Sequence, residues 1–419
     1  MNIKRLLSTT IIIVIGTVML TLSAQDFSEL YRRANNGEVW AMNNLANCYA
    51  NGEGVESNLE KAVYWYKKGA ENGCETAMYN LSFYYKKGDV VEQNFEKALE
   101  LLKRSARLNY SYASTTLGVA YFSGDYGLEV NYNIAKKYLK DASFTENVNA
   151  MCYYGWMHAK ALGVNKDNYK AKHWLDKSVE NGYAYANIPL YILSTEDRNF
   201  WGSPSYYKEE VLKTITYSSF CSIVARYYDK EYVRCINEND SNKEFYGQAA
   251  FNMLLDSYNK TGDAYACAGL GVYYEDGIGV EPNTEEALKY YIKSHELGMP
   301  NMTTHIKHAC EKLNKLSLYF EVLSASRETT DTDLLNELAY CYAQGIGTNV
   351  NLNMAHTIID RAIQLKSDYA FLYDSKGEFF MLAGDRKNAL KMYKKVMKLE
   401  PTFYISYPNT VLYDYVNKK

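Results

Sequence analysis

The sequence predicts an all-α fold, a right-handed superhelical α-solenoid of antiparallel helix pairs. Three observations carry that prediction. Ala41, Leu45, Gly52, Ala62 and Ala70 return 36 residues later as Ala77, Leu81, Gly88, Ala98 and Ala106. A fixed period of this size marks stacked helical hairpins, each too small to bury its apolar face alone. Only six prolines interrupt 419 residues, as expected of a chain that is mostly helix. Hydrophobic residues make up 47%, enough for a continuous core in which each repeat packs only on its neighbours. About ten hairpins are expected at this spacing.

The chain opens with Lys4 and Arg5, an apolar run from Ile11 to Leu22, and Ser23-Ala24 before Gln25. A positive start, an apolar stretch and a small-residue end form an export signal over 1–24. The expected location is the periplasm or cell surface, with membrane attachment only if the segment stays uncleaved. No cysteine stands at the cut, so a lipid-anchored form is not expected.

A short lead-in helix over 27–35 precedes the first repeat. Its first helix is expected from Trp40 to Asn51, with Ala41, Leu45, Cys48 and Tyr49 facing inward at helical spacing. Gly52 and Gly54 end it, because glycine enters the left-handed conformation of helix C-termini freely. Ser57 or Asn58 caps the second helix, with Glu60 in its first turn. Ala62, Tyr66 and Ala70 form its inner stripe, and Gly73 marks its end.

The pattern of A-x3-L-[GA]-x2-Y-x2-G-x-G followed by K-A-x2-[WY] resembles the Sel-one-like repeat, a cousin of the tetratricopeptide repeat. Ala113, Leu117, Gly118, Tyr121 and Gly124 carry it, as do Ala150, Tyr154, Gly155, Ala171, Trp174 and Gly182. A nearly ideal copy runs through Ala266, Leu270, Gly271, Tyr274, Gly277, Gly279, Ala287 and Gly298, and another through Leu338, Tyr342, Gly345, Gly347, Ala355 and Ala362. The resemblance implies an α-solenoid whose outward first-helix positions line a concave binding groove.

Between these copies the pattern degenerates. Ala186 and Leu190 keep register, but residues 199–204 replace the glycine turn. Helical patterning resumes from Tyr206 to Tyr232, and Gln248 to Gly262 reads as a second helix. Two irregular hairpins are expected here, as drift, a kink or a site. Met299 to Thr330 forms a weak hairpin. The period then shortens to 34, with Tyr373, Gly377, Phe380, Ala389, Tyr393 and Pro401 at tetratricopeptide positions, and one closing helix is expected from Tyr404 to Val416. The expected domains are 1–24 signal peptide, 25–182 Sel-one-like repeats, 183–262 degenerate helical repeats, 263–368 Sel-one-like repeats, and 369–419 tetratricopeptide repeat with its capping helix.

The formal charge is −3, and no basic stripe is present to track a phosphate backbone, which argues against nucleic acid. Eight cysteines in an exported chain raise the question of disulfides. Some exported Sel-one-like relatives bridge the two helices of each repeat, but no repeat here carries a regular pair, so buried free thiols are expected. His305 and His308 are three apart near Cys310 and Glu311, yet a zinc site needs converging ligands from elsewhere. A solvated helix face is expected, with no metal and no cofactor.

The resemblance also suggests an alternative, a cell-wall-related or β-lactam-hydrolysing enzyme of the cysteine-rich Sel-one-like type. Ser205 with Lys208, and Ser257 with Lys260, match S-x-x-K, and 260–262 reads K-T-G. Lys260 would have to serve both motifs and no S-D-N follows, so both matches read as accidents. No catalytic residue is assigned.

The positive signal is the outward first-helix face. Register places Trp40, Asn43, Asn47, Tyr79, Phe83, Tyr112, Trp156, Tyr265, Asn336 and Tyr340 there. Asparagine amides pair with an extended backbone and aromatic rings supply flat contact area. The expected function is a non-catalytic scaffold holding a protein or peptide partner in this concave face.

Overall fold

The computed structural model describes residues 27–197, 200, 202–407 and 410–417; the export signal expected over 1–24 lies outside the described residues. Among the described residues there are helices and no strand. They form two compact units, the first ending at Ile215 and the second beginning at Thr216. That boundary falls inside the segment with the degenerate pattern.

The first unit contains α1 (27–35), α2 (Val39–Asn51), α3 (Leu59–Glu71), α4 (Glu75–Lys87), α5 (Phe95–Arg107), α6 (Ser111–Ser123), α7 (Tyr132–Phe144), α8 (Val148–Lys160), α9 (Asn168–Glu180), α10 (Asn187–Glu196) and α11 (Pro204–Leu212). A one-turn 3₁₀ helix, Ala184–Ala186, leads into α10. The second contains α12 (Tyr217–Glu238), α13 (Lys243–Thr261), α14 (Ala264–Asp276), α15 (Thr284–Glu296), α16 (Met302–Lys312), α17 (Leu316–Ala325), α18 (Thr332–Gln344), α19 (Leu352–Leu365), α20 (Ala370–Leu382), α21 (Arg386–Leu399), α22 (Phe403–Ser406) and α23 (Val411–Asn417). In each unit successive helices pack as hairpins. The even-numbered helices α2 to α8 and α14 to α20 are the first helices of their pairs.

One local device builds each regular hairpin. Gly52 takes φ 77° at the end of α2, and its N–H returns to the Cys48 carbonyl. Six residues on, the Asn58 side chain accepts the Lys61 N–H at 2.9 Å and so starts α3. The Asn58 N–H meanwhile donates to the Tyr49 carbonyl at 2.8 Å, tying the new helix to the old one. Asn94 repeats that bond to Tyr85 at 2.8 Å, and Asn131 to Tyr121, Asn283 to Tyr274 and Asn351 to Tyr342 each at 2.7 Å.

The small residues let the paired helices touch. Ala41, Leu45, Ala62, Ala77 and Ala98 are fully buried. At Gly271 no larger residue fits, because a Cβ there would run into the Tyr291 ring. A serine in the second helix adds a buried bond. Ser105 donates to the Glu75 carbonyl at 2.7 Å, Ser178 to Val148 at 2.7 Å and Ser294 to Ala264 at 2.8 Å. Each bond pins the end of the second helix to the start of the first.

Tyrosine has a second structural use in the second unit. Buried or half-buried rings end on carboxylates: Tyr273 on Asp229 at 3.0 Å, Tyr291 on Glu275 at 2.7 Å, Tyr319 on Glu337 at 3.0 Å, Tyr340 on Glu378 at 2.8 Å and Tyr404 on Asp374 at 2.8 Å. Burial raises each of these phenols well above its usual range, so each stays protonated and donates.

Two stretches of helical patterning in the sequence are each divided. The patterning from Tyr206 to Tyr232 is split into α11 and α12, because the Thr216 hydroxyl accepts the Ser219 N–H at 3.2 Å and starts a new helix. At the end of the chain, α22 and α23 replace the single closing helix. Tyr407 precedes Pro408 and sits at φ −126°, ψ 69°, outside the helical region that proline disfavours for its predecessor. α23 still closes the array, with Leu412 fully buried over Gly377.

Candidate functional site

Seven of the ten outward positions named from the sequence lie in the first unit and three in the second. In the first, α2 and α4 lie side by side and α6 follows. Trp40 is 50% exposed, its indole N–H donating to Glu38 at 3.1 Å and the Arg33 guanidinium 5.5 Å from the ring. Tyr79 and Phe83 meet edge to face at 4.9 Å. Tyr79 also reaches Tyr112 at 6.3 Å, and Tyr110 joins both, at 5.3 Å from Tyr79 and 5.5 Å from Tyr112. Phe83 and Tyr112 remain 39% and 53% exposed. The sequence assignment missed Tyr110, which stands just before α6 rather than on its outward stripe; burial pushes its phenol up.

The asparagines behave differently from the expectation. Asn43 does not face outward: it is buried between α2 and α4, accepts from Asn80 at 3.1 Å and donates to Asn44 at 3.3 Å. Asn47 is half-buried and accepts from the Tyr66 hydroxyl at 2.5 Å and from Asn80 at 3.5 Å. Asn80 thus links the two helices, and the amides of Asn43 and Asn47 serve that link before any ligand. Trp156 is also turned inward, half-buried against the core of α8 to α11 with the Lys160 ammonium 5.0 Å from its ring.

Beside the aromatic cluster lies an open hollow of about 430 Å³. Asn47, Asn51, Tyr66, Asn80 and Phe83 line it, with Lys87 and Asp89 at one side paired to each other. In the second unit Tyr265 is 50% exposed at the lip of a separate hollow of about 260 Å³. Tyr340 is half-buried and committed to Glu378. Asn336 is half-buried with its side-chain oxygen enclosed and unbonded. The structure therefore brings Tyr79, Phe83 and Tyr112 together, and keeps Tyr265 apart from Asn336 and Tyr340 on different helices.

The remaining sequence candidates carry no assembled chemistry. All eight cysteines are unbridged. Burial pushes the Cys152 thiol up to about 12 and the Cys341 thiol up to about 11, which holds both as unreactive thiols. His305 lies against Tyr291 at 4.9 Å, while His308 points to Glu275 at 3.7 Å. Among the described residues no group of three or more His, Cys, Asp or Glu side chains is placed to hold a metal ion. Ser257 is 1% exposed and faces Asp263 at 3.4 Å, whereas Lys260 donates to Tyr217 at 2.6 Å. Ser205 is exposed in the first turn of α11. Among the described residues no helix is long and apolar enough to cross a membrane.

The Sel1 repeat model matches residues 41–74, 76–110, 111–143, 148–183, 264–299 and 333–365. The matches stop at 183 and resume at 264, on either side of the irregular middle. Among solved structures, the chain is similar to a protective antigen of uropathogenic Escherichia coli strains displaying an SLR fold, with 20% identity over 94% of this chain and 89% of that one at a TM-score of 0.43. A Sel1 repeat protein from Oxalobacter formigenes is 24% identical over 49% of this chain and 90% of that one, with a TM-score of 0.41. Yeast Tom70 is 12% identical over 94% of both chains, with a TM-score of 0.30. No curated protein matches the chain in sequence. With six repeat matches in register along an all-α array of helix pairs, the chain belongs to the Sel1 repeat family.

Proposed function

We propose that the chain is an exported, non-catalytic scaffold that holds a protein or peptide partner on the first-helix faces of its repeats. The observation that carries this reading is the cluster of Tyr79, Phe83, Tyr110 and Tyr112 beside the 430 Å³ hollow. Phe83 and Tyr112 leave much of their rings in water, where they contribute little to folding. Rigid aromatic rings at the edge of a hollow are the side chains that anchor partners most effectively. Export is supported by the leader pattern over 1–24. The absence of catalysis is supported by the burial of Ser257 and the engagement of Lys260 elsewhere.

The test is affinity capture from the native compartment with the wild-type chain and with a Trp40→Ala, Phe83→Ala, Tyr112→Ala variant of unchanged helicity. The reading requires a specific partner captured by the wild type and lost by the variant. Equal capture by a folded variant would refute this face as the binding surface.

A further inference from the structure

We infer that the second unit carries a pocket for one aromatic or large aliphatic side chain of an extended peptide, with an acidic residue of that peptide held by Arg226. The inference rests on the scaffold reading and narrows it to a class of peptide.

The hollow lies between α12, α14 and α16, all within one unit. It exists because the floor lacks side chains. Register places Ala268 where the first repeat has Asn43, and Gly269 beside it has only a hydrogen; a Cβ there would meet Leu254 at 2.8 Å. Tyr265, Tyr273 and His305 form the walls. At about 260 Å³ the hollow is smaller than the roughly 300–1,000 Å³ of small-molecule sites. Its size and apolar walls suit a single side chain.

The rim supplies the charge selection. Asp229 is committed, accepting the Tyr273 hydroxyl at 3.0 Å. Arg226, one turn earlier on α12, is exposed, and its guanidinium donates to the Ser222 carbonyl at 3.3 Å. Among the described residues no carboxylate forms an ion pair with it, which leaves its planar fork open to a carboxylate from outside. The hollow of the first unit differs, since Lys87 there is already paired with Asp89.

The path continues across α16. His305 faces the first hollow, and Lys307 faces a second of about 270 Å³ beside Tyr340. Glu337 in that second hollow is engaged by Thr303 at 3.1 Å and Tyr319 at 3.0 Å. An extended segment crossing α16 therefore meets an apolar pocket whose exposed charge is Arg226, and then Lys307, while the carboxylates of Asp229 and Glu337 are half-buried and turned to neighbouring hydroxyls, an arrangement that favours an acidic peptide.

The experiment is panning of a phage-displayed random dodecapeptide library on the purified full chain, followed by fluorescence anisotropy of the enriched peptides. Enriched peptides are expected to carry Trp, Phe or Leu within three residues of Asp or Glu. Their affinity is expected to fall by about tenfold or more in Arg226→Glu and in Ala268→Trp, and to be unchanged in Tyr169→Ala, on the second helix α9 of the first unit. Arg226 is exposed, so its variant keeps the test valid if Ala268→Trp does not fold. Peptides without acidic residues, or affinities indifferent to Arg226→Glu, would overturn the pocket assignment and leave the scaffold reading standing. Loss of binding in Phe83→Ala alone would move the peptide to the first unit and overturn it equally. An absence of enrichment would overturn the inference, while the affinity capture described above still decides the scaffold reading.

Discussion

The Tyr404 hydroxyl donates to Asp374 at 2.8 Å, joining α22 to the middle of α20 and closing the C-terminal end of the second unit. One turn on, Glu378 accepts from Tyr340 of α18 at 2.8 Å. Two carboxyls four residues apart on one helix thus hold a neighbour on either side. Burial raises Asp374 to about 6, the Tyr404 bond opposes the rise and Glu378 adds to it; burial also raises Glu378.

The sign of the pH dependence follows. A carboxyl whose pKa is higher in the folded state favours folding while protonated. Its contribution is complete below the unfolded value near 4 and is lost as pH rises through about 6. The difference is on the order of 3 kcal/mol for Asp374. Amide protection in α20 and α23, taken relative to the intrinsic exchange rate at each pH, is therefore expected to be lower at pH 7.5 than at pH 5, and Asp374→Asn should remove most of that difference. Equal protection at both pH values in the wild type would contradict the coupling.

His158 sets the opposite dependence in the first unit. It is 6% exposed against Tyr154, whose ring is 4.9 Å away. Burial lowers its pKa, the backbone at Asn165 opposes that, Lys170 lowers it further and Asp167 raises it. A histidine with a lower pKa in the folded state binds its proton more readily when unfolded. Its stabilisation is full above the unfolded value near 6.5 and declines as pH falls below it. Amide protection in α8 and α9, taken relative to the intrinsic exchange rate at each pH, should fall between pH 7 and 5.5 in the wild type and less so in His158→Gln.

The serine bonds give a mutational contrast. Ser105→Ala and Ser294→Ala each remove a buried hydroxyl that satisfies a backbone carbonyl. Each should destabilise by about 1 kcal/mol. Ser123→Ala, at an exposed site, should stay within about 0.5 kcal/mol of wild type. Urea midpoints measured side by side would reveal this difference.

Gly271 faces Tyr291, whose hydroxyl is fixed on Glu275 at 2.7 Å. The ring cannot retreat without losing that bond. Gly271→Ala should therefore destabilise the second unit by about 1–3 kcal/mol as overpacking, although alanine is the better helix former. A neutral or stabilising result in thermal unfolding would show that the ring has room to move.

The hairpins were legible in the sequence because Ala41, Leu45, Gly52, Ala62 and Ala70 each report a backbone requirement: close approach, burial or a left-handed turn. The outward face was less legible. Register gives the rotation of a residue about its own helix, but Asn43 is buried by a neighbouring helix whose Asn80 reaches across to it. Ser105, Ser178 and Ser294 recur at one position of the repeat, yet the recurrence names no partner, because their acceptors are backbone carbonyls that any residue supplies. The tyrosine–carboxylate pairs join residues 16 to 44 apart, and neither partner reveals the other until the helices are stacked. The Arg226 hollow depends on what Ala268 and Gly269 lack, which residue type alone did not distinguish from close packing.

The most direct test of the scaffold claim is site-specific photo-crosslinking in the native compartment, with p-benzoylphenylalanine at Phe83 on the first-helix face or at Tyr169, 76% exposed on the second helix α9. Adducts of one discrete mass from position 83 and none from position 169 are predicted. Adducts from position 169 alone, or equally from both, would contradict the assignment of the first-helix face as the binding surface.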